Sequence, residues 1–458
     1  MIRDPNRAAA LAAATLTSLL TSFMASALNI ALPQIADEFS LDAVLLGWIA
    51  TSFLLATAVF TVPFGKIADI YGRRRIFLGG TVLYTVSTLM AGLAGSAAVL
   101  IVARVLQGIG SAMIFSSNTA ILTSVFSPGE RGRVLGLNVA AVYIGLSVGP
   151  FVGGLLTQHL GWRSVFLATA PIGAIAASYI AWRLTAEWRE ARGDRFDVGG
   201  ALLYALGLSA LIWGVSQLST RLGPVLILAG AAGLAAFAML EARVPAPVFD
   251  VRLFRHNRVF ALSSLAALIS YAATAAVGFL LSLYLQRVRG LSPQQAGMVL
   301  LAQPIMMALF SPLSGKLSDR VEPRILSSAG MGVTAAGLLL FALLGPATPV
   351  VTIVLRLMLL GLGFALFSSP NMNAIMGSVE RRLYGVASGT TATVRTIGGT
   401  LSLSLAAMII GLFVGRVEIT PDTAPAFLAA VRLAFGIFGA VCIGGVFASL
   451  ARGRLHSS

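Results

Sequence analysis

One cysteine, Cys442, three histidines and two lysines are all that a chain of 458 residues carries of these types. A single thiol excludes an intrachain disulfide and any cysteine-built metal cluster. His159, His256 and His456 are scattered through connecting segments and the tail, so neither a metal-ligand spacing nor a Ser/His/Asp set emerges. No phosphate loop of the Gly-x4-Gly-Lys-Ser/Thr type is present, which argues against ATP hydrolysis. The expectation is no enzyme, no metal and no cofactor. Charge is scarce as well: 11% of residues against roughly 25% in soluble domains.

What remains is apolar, 57% of the chain. Runs of about 18–25 such residues cross a hydrocarbon core of roughly 30 Å as helices. Fourteen are expected, at 8–33, 43–64, 76–95, 97–121, 134–157, 163–184, 198–217, 223–241, 259–285, 295–314, 325–345, 348–371, 386–414 and 427–450. With the amino terminus inside, 23 of the 32 lysines and arginines fall in inner loops and tails, and the charge rule makes both termini cytoplasmic. The same asymmetry, with anionic headgroups opposite it, accounts for the +15 balance without nucleic acid. No cleavable leader is expected, because the first run is long enough to span.

Two phrases repeat. "PFGKIADIYGRRRI" at 63–76 and "PLSGKLSDRVEPRI" at 312–325 hold the only two lysines, Lys66 and Lys316; "RVLQGIGSAMIFSS" at 104–117 echoes "RLMLLGLGFALFSS" at 356–369. The reading is an all-α membrane protein of two pseudo-symmetric six-helix halves, 1–184 and 259–458. Between them, 185–258 holds a charged linker read as solvated, two inserted helices read as a peripheral hairpin, and an inner loop. Such parallel halves are an architecture of secondary transporters, with the substrate site at their interface near the midplane.

Gly65-Lys66-Ile67-Ala68-Asp69-Ile70-Tyr71-Gly72-Arg73-Arg74-Arg75 resembles the loop 2–3 signature of the major facilitator superfamily, and Arg104 to Gly110, with Gln107, its helix 4 signature. "GLSVGPFVGG", Gly145 to Gly154, resembles the helix 5 antiporter motif. "NIALP" at 29–33, "PVFDVRLFRHNRVF" at 247–260 and "GVASGTTATVRTIGGTLS" at 385–402 resemble the fourteen-helix drug/proton antiporter branch. The resemblance implies the major facilitator fold and a multidrug-efflux-like exporter of small molecules, with protons as coupling ion, in a bacterial inner membrane. It also implies that a bend in helix 5 seals the inward side.

Physically, Gly145, Gly149 and Gly153 share one helical face and admit a close neighbour; Pro150 removes a hydrogen bond, and Gly154 completes the motif. Arg73, Arg74 and Arg75 serve topology, but Asp69 among them suits pairing with Arg131 or Arg133, or a helix N-terminus across the halves. Together with Gly65, Lys66, Gly72, Arg73, Arg74 and the second copy Gly315, Lys316 and Asp319, it is read as a latch that biases a two-state gate.

All seventeen acids fall in loops, tails or helix rims, whereas Arg104, Arg356 and Arg395 lie inside helices. An ionisable group at that depth is a functional candidate. Arg104 reads as structural or coupling; Arg395 matches the branch's helix 13 pattern; Arg356 can snorkel to the outer surface. The branch's usual helix 1 aspartate is missing, Met24 standing at its place. Coupling then falls to a rim carboxylate such as Asp37 or to Asp69, or else the substrate is neutral or anionic with Arg356 or Arg395 as counter-ion, or lipid-like with weak coupling.

Cleft-lining candidates are Met24, Ser26, Asn29, Asn118, Tyr143, Tyr271, Gln303, Met306, Met307, Phe310, Asn371 and Asn373, each of which could instead pack a helix interface or face lipid. The resulting expectation is a secondary active exporter of hydrophobic or amphipathic molecules. The alternatives are an exporter of organic anions or lipid-like metabolites and, remotely, a membrane sensor on a transporter scaffold.

Overall fold

The structure, a computed structural model, describes residues 5–194, 196–218, 220–243, 251–318, 320–380, 384–415 and 417–453. These residues form α1 (Pro5–Phe39), α2 (Ala43–Tyr71), α3 (Arg73–Gly92), α4 (Ala97–Val125), α5 (Pro128–Leu160), α6 (Arg163–Arg183), α7 (Val198–Ser216) and α8 (Leu222–Glu241). A short helix, Val251–His256, precedes α9 (Arg258–Val288) and α10 (Pro293–Ser318). α11 (Pro323–Phe341), α12 (Val350–Gly377), α13 (Tyr384–Val414) and α14 (Ala424–Ala451) follow. Thirteen of them are long and apolar enough to cross a membrane; the exception is α3, whose first turn is three arginines. Spanning helices satisfy their own backbone, which is why apolar length decides the architecture.

Packing repeats with the sequence. α1 lies on α5 and α6, α3 on α4 and α6, and α2 on α4; α9 lies on α13 and α14, α11 on α12 and α14, and α10 on α12. The α3–α4 crossing is set by Gly80 and Gly110, and the α11–α12 crossing by Gly330 and Gly363. In each pair a Cβ on one glycine would fall within 3.0 Å of the other's carbonyl oxygen. Small residues there admit the backbone contact that holds helices together in lipid.

Two helices are interrupted. α9 breaks at Ala275–Ala276 and ends in a π-helical turn, Tyr284–Val288. α10 breaks at Leu301, where Pro304 cannot donate to the turn before it. The two halves meet along α2–α13 and α5–α10, with α9 also on α1. Hairpin α7–α8 covers the α2–α13 seam: Tyr204 donates to the Ala58 carbonyl at 2.9 Å, and Leu208 and Ile212 pack with Val59, Val62 and the half-buried Ile397 and Leu401. The hairpin read as peripheral is thus a brace touching both halves.

At the arginine-rich end, Arg452 runs back into the second half and is 1% exposed. It donates to Asn371 Oδ1 at 2.7 Å, Ser263 Oγ at 3.2 Å and the Pro323 carbonyl at 2.9 Å, tying α9, α11 and α12. Burial pushes its guanidinium down to about 10, so it stays charged at neutral pH. Asn371, expected in the cleft, is instead spent on this knot and on the Ser263 carbonyl. Arg452→Ala should cost about 2–4 kcal/mol, since it strands buried acceptors. Thermal unfolding of the detergent-solubilised chain would show this as a lower melting temperature; an unchanged one refutes the knot.

Candidate functional site

The latch phrase closes on the linker. Arg73, 6% exposed, pairs with Asp69 at 2.7 Å and, through both terminal nitrogens, with Glu190 at 2.7 and 2.8 Å. Glu187 accepts from the Arg74 backbone N–H at 2.9 Å, and Lys66 pairs with Asp194 at 2.7 Å. The Arg73 N–H meets the Trp188 carbonyl, and the Ala191 N–H meets the Asp69 carbonyl. Gly72 makes this turn at φ +122°, where a Cβ would strike the Glu187 carboxylate. The linker read as solvated is therefore a strap, and its acids neutralise the arginines that the charge rule places there. Arg131 donates to the Phe126 carbonyl rather than to Asp69. In the second copy, Gly315 lies against Ser369 as Gly65 lies against Ser116, and Lys316 is exposed; Asp319 lies outside the described residues.

Contacts between the halves gather at the arginine-poor end. The Asn29 and Ile30 carbonyls of α1 accept from Ser282 and Gln286 of α9, and Arg287 binds the Pro33 carbonyl at 2.7 Å and the Asp37 carboxylate. The helix 5 motif divides its work. Gly145, Gly149 and Gly153 press on Leu19, Ser26 and Ala27 of α1, while Pro150 and Gly154 meet Gly297 and Pro293 of α10. This motif was expected to seal the arginine-rich side; here it closes the opposite one. Among the described residues no hydrogen bond or ion pair joins the halves at the arginine-rich end.

Between these ends both halves contribute to one cluster. Arg395 of α13 lies over the Phe115 ring of α4, 5.9 Å from its centroid, and beside the Tyr271 hydroxyl of α9. Tyr271 also faces Tyr143 of α5 and Ser368 of α12, and its ring meets Phe364 edge-on at 5.4 Å. No carboxylate pairs with Arg395 among the described residues. The group is a cation held by aromatic faces and hydroxyls, able to receive an acceptor or a negative charge on a flat ligand. Tyr143, Tyr271 and Arg395 were legible in the sequence. Phe115, Phe364 and Ser368 were not, because one aromatic or serine in an apolar helix does not show which way it faces.

The other expected residues lie elsewhere. Arg104, 2% exposed, donates to the Ile49 carbonyl and to Gln107, which holds Thr88, and sits 4.3 Å over the Phe53 ring, all within the first half. Arg356 lies against Phe341, away from the cluster. Asn118 ties α4 to the Ala14 carbonyl and Ser18 of α1, Ser26 donates back to the Ser22 and Phe23 carbonyls within α1, and Asn373 binds Ser318. Met24 and Met307 are buried; Gln303 and Met306 are half-buried against Gly361, as is Phe310 nearby. The side chain of Asn29 faces Gly278 at the seam.

The riboflavin transporter RibZ of Clostridioides difficile is 29% identical over 379 residues, 82% of either chain. The multidrug resistance protein Stp of Mycobacterium tuberculosis is 33% identical over 388 residues, 82% of this chain and 71% of its own. A crystal structure of a bacterial homologue of the human lysosomal transporter Spinster superposes with TM-score 0.68 at 19% identity, covering 98% of this chain and 97% of that one. The family model described as Major Facilitator Superfamily matches residues 14–403. With two repeated six-helix units and this match over most of its length, the chain belongs to the major facilitator superfamily, a family of membrane transporters and not of enzymes.

Proposed function

We propose that this transporter exports amphipathic aromatic molecules bearing an acceptor or anionic group, by rocking its halves about the Arg395–Tyr271 cluster. The supporting observation is that a cation with no carboxylate partner among the described residues stands between the halves, flanked by aromatics from both. Relatives named for riboflavin and for multidrug resistance fit a flat, varied cargo. By the charge rule the arginine-rich end is cytoplasmic, the side from which an exporter loads, and the membrane we expect is a bacterial inner one, these relatives coming from bacteria.

Proton antiport remains the coupling expected from the family, but among the described residues no carboxylate lies in a helix interior to carry it. Asp37 makes a poor carrier. It sits at the outer rim, where its carboxylate is already taken by Arg287 of the other half. Its better role is a gate tie. The strap on Asp69 and Arg73 would serve the opposite gate, freeing or holding the latch as the halves rock.

In proteoliposomes, Arg395→Gln should lower transport of an anionic fluorescein dye about ten- to hundredfold, the worth of a hydrogen bond to a charged group. Tyr271→Phe should have a smaller effect. If the cationic dye ethidium is the one moved and Arg395→Gln leaves it untouched, the reading fails in favour of a cation antiporter. Asp37→Asn or Arg287→Gln should shift the population toward the outward-open form about two- to fivefold, because a half-exposed pair contributes up to roughly 1 kcal/mol. Spin-label distances across the outer rim would report this; unchanged distances would deny the tie a gating role.

A further inference from the structure

A second uncompensated positive cluster lies in the second half, apart from the cleft. The turn between α11 and α12 presents three successive carbonyls, each taken by a different segment. Arg432 of α14 donates to Leu344, the Tyr284 hydroxyl of α9 to Gly345 at 2.6 Å, and Arg289 to Pro346 at 3.0 Å. Arg356 of α12, six residues beyond the start of its helix, lies over the Phe341 ring three residues before Leu344. All three guanidinium groups are close enough to the Tyr284 hydroxyl to act on it electrostatically.

Three positive charges within one turn's span repel one another, and no Asp or Glu among the described residues pairs with any of them. Nor is their hydrogen bonding complete: Arg289 Nε and Arg356 Nη1 are both buried without an acceptor. A buried donor left unpaired costs about 1–3 kcal/mol, more when charged, so such a site calls for an anion with several acceptor oxygens. The surroundings indicate where the anion comes from. Leu343, Val351, Leu355 and Leu433 beside the cluster are exposed, as lipid-facing side chains are, and Arg432 itself is exposed at the rim.

From these contacts we propose that Arg289, Arg356 and Arg432 form a binding site for a phosphate group, presented by an anionic phospholipid headgroup of the leaflet at the arginine-poor end. Planar guanidinium groups suit bidentate binding of phosphate oxygens. Occupancy would join α9, α12 and α14 at the π-helical turn that also carries Arg287, linking bound lipid to the Asp37 tie.

The test is thermal unfolding of the purified full chain in neutral detergent with added phosphatidylglycerol, with phosphatidylcholine, or with inorganic phosphate. Phosphatidylglycerol should raise the melting temperature by about 2–4 °C. Most of that rise should vanish in Arg356→Gln, and in Arg432→Gln, whose exposed side chain can be replaced without loss of folding. Native mass spectrometry should show fewer retained phosphatidylglycerol molecules for either variant. A rise with phosphatidylglycerol alone supports the headgroup as source; the same rise with inorganic phosphate supports the site and reassigns it to a free anion. An equal rise with phosphatidylcholine, or a rise that persists undiminished in both variants, overturns the proposal.

Discussion

Among the described residues every carboxylate lies in a loop or at a helix end and none in a helix interior, and the arrangement of this protein follows from what its intramembrane arginines must do without one. Each finds a neutral substitute. Arg104 takes a carbonyl, an amide and the Phe53 face; Arg395 takes a tyrosine and the Phe115 face; Arg356 has the Phe341 face and a donor with nothing to bind. Ring faces and carbonyls solvate a cation but leave its charge uncancelled. A site built this way attracts acceptors and anions and repels cations, which sets the expected cargo apart from that of a carboxylate-based cation exporter.

The acids that are present pair at the two ends, which is where the proposal places the gates. At the arginine-poor end Asp37 meets Arg287 across the seam; at the other, Glu187, Glu190 and Asp194 bind a strap to the first half. Such contacts are individually small, which suits a structure that exchanges them during a cycle. The glycine crossings inside each half are the opposite kind of contact, fixed by backbone approach, as the proposed rocking of the halves as units would need.

Much of the fold was legible in the sequence because apolar length and the repeated phrases are one-dimensional signals. The helices, the internal repeat and the roles of Gly145, Gly149 and Gly153 as close-packing positions all follow from spacing. What spacing does not carry is the partner. Asn118 and Asn371 look like cleft residues until the neighbouring backbone shows them holding Ala14 and Arg452. The strap was misread because alternating charge in a loop looks the same whether water or an arginine turn lies beneath it. Tyr143, Tyr271 and Arg395 could be named from sequence, whereas their grouping required the fold.

The central claim is that the cargo binds between the halves against Arg395 rather than at an acid. Its most direct test is a structure of the transporter with a bound aromatic anion. The account predicts ligand density between Phe115, Tyr143 and Tyr271, with its acceptor group on the Arg395 guanidinium. Density confined to the Asp37 rim, or a cationic ligand seated beside an undisturbed Arg395, would contradict it.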